Sequence, residues 1–132
     1  MKKELKSPTF SVGADDESTW YLKLCPGGCE LENKDSVSLF LYRVALNKTG
    51  ARAKFSLSIL DANFEAAYVR SVEQCHFFPD GGSFGFREFI KRDFLLDKVN
   101  AFLPCDKLTL CCKVSRQDFY LSQLQEKLSF LV

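Results

Sequence analysis

Along most of this chain, apolar and polar residues alternate in short runs separated by turn residues, the pattern of an all-β sandwich. Thr9–Val12 predicts a short strand, closed by Gly13-Ala14-Asp15-Asp16. Trp20–Cys25 predicts a second, with Trp20, Leu22 and Leu24 sharing one face, before Pro26-Gly27-Gly28 breaks it. Polar residues 30–35 read as a loop. Val37–Leu46 is apolar at both parities, so it is expected to be a central strand covered on both sides. After the turn at 47–50, Ala53–Leu60 alternates, with Phe55, Leu57 and Ile59 on one face and Lys54, Ser56 and Ser58 on the other. Asp61-Ala62-Asn63 turns the chain again, and Leu108–Val114 alternates as the last core strand.

Three stretches depart from simple alternation. Residues 64–78 are harder to assign, and within them Ala66-Ala67-Tyr68-Val69 fits either strand or helix. Pro79-Asp80-Gly81-Gly82-Ser83 reads as a flexible surface loop, and the spacing of Phe86, Phe89, Ile90 and Phe94 predicts a short helical turn near 87–92. In the tail, Leu121, Leu124, Leu128 and Leu131 recur three or four apart, which predicts an amphipathic helix over 117–132 with Asp118 as its cap. Such a helix would pack on the sandwich or support self-association. Residues 1–7 are polar and read as a frayed terminus.

The totals narrow the function. A chain of 132 residues fits one domain with its own core, and a hydrophobic content of 46% excludes overall disorder. A net charge of +1 leaves no electrostatic footprint for nucleic acid or an anionic membrane. The charged start lacks the apolar stretch of a signal peptide, and no apolar run approaches membrane-spanning length. The expected location is therefore nuclear or cytoplasmic, and the six cysteines are expected to be reduced thiols. Cys25 and Cys29 are too widely spaced for a CxxC pair, and no matching second pair supplies the four ligands of structural zinc. Cys111 and Cys112 point to opposite faces of a strand. His76 is the only histidine and has no nucleophile at a recognisable spacing, so the chain reads as a non-enzyme without metal or cofactor. Asp80-Gly81-Gly82-Ser83 lacks the Gly-Lys-Ser/Thr ending of a phosphate-binding loop.

The segment from Phe86-Arg87-Glu88-Phe89-Ile90 to Phe94-Leu95-Leu96-Asp97, then Leu103-Pro104 and Asp106-Lys107-Leu108-Thr109-Leu110, resembles the C-terminal half of a MATH (TRAF-like) domain of the kind found in speckle-type POZ proteins. Thr9-Phe10-Ser11, Lys34-Asp35 and Arg52-Ala53-Lys54-Phe55 agree with it in order, so the resemblance runs over about residues 7–115. It implies an antiparallel β-sandwich over 8–116 that docks an extended Ser/Thr-rich protein segment on its sheet. In that family a following BTB/POZ domain recruits a cullin-3 ubiquitin ligase. The family's opening strand is expected to be missing here, and the tail helix to correspond to the linker towards BTB. By position, the resemblance implies a peptide floor of Phe40, Phe55, His76, Phe84 and Phe86, with Ser83, Gly85 and Arg87 around it. Phe84 stands in place of a Trp, His76 in place of a Tyr, and Gly82-Ser83 in place of a Lys-Asp pair. Alternation alone places Phe55 with the core residues Leu57 and Ile59, so core and groove remain alternatives for that ring.

Overall fold

The computed structural model describes residues 4–11, 18–28, 34–45, 50–116 and 123–131. Two antiparallel sheets face one another. In the first, β1 (Leu5–Lys6) and β2 (Phe10–Ser11) both pair with β3 (Ser18–Cys25), β3 pairs with β4 (Ser36–Ala45), and β4 pairs with β7 (Ser83–Lys91). The second runs β6 (Ala66–Phe78), β5 (Ala51–Leu60), β8 (Lys107–Arg116) and β9 (Gln123–Leu131). A short helix α1 (Arg92–Leu96) and two 3-10 turns, Lys98–Asn100 and Pro104–Asp106, connect β7 to β8.

The alternating runs become the inner faces, as expected. Trp20, Leu22 and Leu24 of β3 are buried, and so are Leu57 and Ile59 of β5 and Leu108, Leu110, Cys112 and Val114 of β8. These rows interdigitate into one core. Trp20 sets its ring edge-on to Phe78, with centroids 5.1 Å apart.

The structure corrects several expectations. The N-terminal segment does not fray at Leu5–Lys6, which pairs with Leu24 and Lys23; Ser7 exchanges hydrogen bonds with Leu22 through its amide and hydroxyl. Glu4 lies 3.1 Å from the Lys23 ammonium, and this hydrogen bond raises the Lys23 pKa well above the usual lysine range. Within β4, only the odd positions Val37, Leu39 and Leu41 are core, while Phe40 and Tyr42 are half-buried and Val44 is exposed. Among the described residues no second layer covers that face, and its rings cover each other. Tyr21 and Tyr42 stack 5.0 Å apart, with the ammonium groups of Lys6 and Lys23 over them.

Residues 66–78 are strand. The 79–83 segment is a turn pinned to β4: Gly82 N donates to Pro79 O, Gly81 takes φ +77°, and Arg43 bonds to both glycines through its main chain. The helix expected near 87–92 lies instead at Arg92–Leu96. The spacing that mimicked it comes from a bulge: Leu39 pairs with Phe86 but Val37 with Ile90, and the extra residues of β7 bring Phe89 and Ile90 both into the core.

The tail expectation is overturned at residues 123–131, which form β9 and not a helix. Positions 124, 128 and 130 stand opposite Val114, Leu110 and Leu108, and the four-residue step from 124 to 128 fits a strand's period of two as well as a helical spacing. Pairing along the whole of β8 decides between the two. Asp118 and Leu121 lie outside the described residues. Self-association through a tail helix loses the helix it required.

Candidate functional site

One margin of the sandwich lies between β6 and β7, the end strands of the two sheets. The inner rows of these strands face each other there. On β6 the row is Tyr68, Arg70 and Val72, then His76 and Phe78 beyond a bulge at 73–75. On β7 it is Phe84 and Phe86, the residues paired with the core positions Leu41 and Leu39.

Cross-margin contacts join the rows in order. The His76 imidazole stacks on Phe84 with centroids 4.1 Å apart and planes at 19°, and it meets Phe78 edge-on at 5.0 Å. Phe84 also sets its edge to Phe55 at 6.4 Å. The Arg70 guanidinium lies 4.4 Å above the Phe86 ring. Tyr68 packs edge-on against Phe89 at 5.5 Å, and its hydroxyl donates to Phe89 O. Arg70 Nη1 donates to Glu88 O and Phe89 O, each at 3.0 Å. Side chains of β6 therefore cover the main-chain carbonyls at the 88–89 end of β7.

At the other end of β7 that cover stops. Arg43 N bonds to Gly82 O, so ladder alternation makes Leu41–Phe84 and Leu39–Phe86 the bonded pairs and turns the main chain of Ser83 and Gly85 towards the free edge. No described strand pairs with that edge. Gly85 lies so close to β4 that a Cβ would collide with Leu39 O and the Phe40 Cα. Phe84 is 39% exposed beside this stretch, and Phe86 and His76 are half-buried.

Of the residues expected to form a peptide floor, the structure brings His76, Phe84, Phe86 and the edge of Phe55 to this margin. Phe84 and Phe86 occupy the inner face of β7 where it opens to solvent, not the outside of the sheet. Phe55 is 4% exposed and belongs to the core, as its alternation indicated. Phe40 is separated from them: it shares the opposite face of β4 with Tyr42 and pairs with Gly85. Ser83 and Arg87 are exposed, and the Arg87 carbonyl accepts a hydrogen bond from the Ser38 hydroxyl. Tyr68, Arg70 and Phe78 were missed. Their shared parity could have found them, but only once 66–78 is read as a strand.

Among the described residues, no group of three or more His, Cys, Asp or Glu side chains is placed to hold a metal ion. No helix among them is long and apolar enough to cross a membrane. The arrangement offers ring surfaces and main-chain hydrogen bonds, the means by which a sheet edge accepts an extended peptide. A family model of the MATH domain matches residues 1–114, nearly the whole chain. That fold is a protein-interaction module. With its two antiparallel sheets and this match, the chain belongs to the MATH domain family.

Proposed function

We propose that this chain is a substrate-recognition module that captures an extended Ser/Thr-rich segment of a nuclear or cytoplasmic protein, in the manner of speckle-type POZ proteins. In that reading these residues supply recognition, and a BTB/POZ domain supplies the contact to a cullin-3 ubiquitin ligase. One observation carries the proposal: a half-exposed Phe84, stacked on His76, stands beside main-chain groups of Ser83 and Gly85 that face a free strand edge. The guest strand would bond to that edge and lay alternate side chains against Phe84 and Phe86. Phe and His replace the family's Trp and Tyr at two floor positions, so fewer polar tips are available to fix a guest's hydroxyls.

Titration of Ser/Thr-rich peptides into the folded domain, followed by amide NMR shifts, tests this. Saturable binding with shifts clustered at 83–87, weakened by Phe84→Ala and by Phe86→Ala, is the expected result. Equal weak binding by all three proteins would remove the reading.

A further inference from the structure

We propose that the captured segment carries an acidic side chain that is read by Arg70; this rests on the margin being a peptide dock. Arg70 sits mid-row on β6, half-buried, and three contacts fix it: Glu88 O, Phe89 O and the face of Phe86. Among the described residues these are its contacts, and none is a carboxylate. Its position differs in kind from that of Lys23, whose ammonium is paired with Glu4.

A guanidinium has five N–H donors in a rigid fork. Both hydrogen bonds leave from Nη1, so Nε and Nη2 have no hydrogen-bond partner among the described residues. A planar cation already oriented by two carbonyls and a ring gives up little side-chain freedom when an anion arrives. A carboxylate can then take two parallel charge-assisted hydrogen bonds. Arg70 overlies Phe86, which lies two residues along β7 from Phe84. On a guest strand the same separation is about 7 Å, so the acidic residue should fall two positions from the side chain that packs on Phe84. Guest strands with a neutral residue there would leave the fork unmatched.

The test compares short synthetic Ser/Thr-rich peptides that differ at that one position, with Glu, Gln, Ser or phosphoserine, against the full chain. The Glu peptide should bind about tenfold tighter than its Gln isostere, roughly the worth of one charge-assisted contact. The gain should shrink as salt rises. In Arg70→Met the preference for Glu over Gln should vanish whatever the variant's overall affinity, and Arg70→Lys should restore only part of that preference. The phosphoserine arm decides whether a phosphate is accepted in place of the carboxylate. Equal binding of Glu and Gln peptides to the unaltered protein would overturn the assignment and leave peptide docking standing. Equal loss of both in Arg70→Met would make Arg70 a strut between β6 and β7. Failure of every peptide to bind would end this inference together with the proposed function.

Discussion

Phe55 and Phe84 touch each other edge-on, yet they do different work because of where their exposed surface lies. Phe55 is enclosed between the sheets, so replacing it with alanine leaves a cavity whose walls cannot close. Chemical denaturation of Phe55→Ala should show a loss of about 3–5 kcal/mol. Phe84 already has part of its ring in water and lies at a margin that can relax, so Phe84→Ala should cost less than about 2 kcal/mol. Comparable losses in the two variants would mean that Phe84 is a core residue and that the margin is closed. The parity of Phe55 with Leu57 and Ile59 made its burial legible in the sequence. The place of Phe84 was not legible in that way, because it depends on which strand of the opposite sheet faces β7. Arg70 was harder still: its position over Phe86 follows from the parity of β6, and the adjoining Ala66-Ala67-Tyr68-Val69 fits either strand or helix as a bare sequence.

The elements that were easiest to read have one dry face and one wet face. Most of β3, β5 and β8 satisfies that condition, with Ser58 and Leu60 of β5 and Cys111 of β8 buried as well, and their inner rows follow directly from alternation. β4 does not, since Phe40, Tyr42 and Val44 make its outer face apolar with no covering layer among the described residues. Bulges cause the second kind of error. The one in β7 sets Phe86, Phe89 and Ile90 at a helical spacing within a strand. The tail is the third case, because residues four apart are in phase for both a strand and a helix. Its assignment as β9 can be checked directly. Cross-strand NMR contacts should link Leu128 with Leu110 and Leu124 with Val114, and amides that bond into the β8 ladder should exchange slowly. Contacts between residues three apart along 123–131 would instead return the helix.

At the scale of the whole molecule, the sandwich holds the β6–β7 margin in place before any guest arrives. The Arg43 bonds fix the 79–82 turn, the Gly85 backbone lies against β4, and Tyr68 and Arg70 tie the far end of β7 to β6. A guest that adds to the remaining edge needs the folded arrangement of two sheets, so it should bind the native state and not the unfolded chain. Linkage then turns peptide affinity into stability. At a free peptide concentration about one hundred times its Kd, the domain should gain about 2.7 kcal/mol. For a chain of 132 residues that corresponds to a rise in Tm of roughly 8–11 °C. Phe84→Ala at the same peptide concentration should show a much smaller rise, since its Kd is larger while its starting fold is nearly intact. A peptide that lifts the Tm of both proteins equally is bound somewhere other than this margin. One that binds and lifts neither has equal affinity for folded and unfolded chains, which an edge built by two sheets cannot produce.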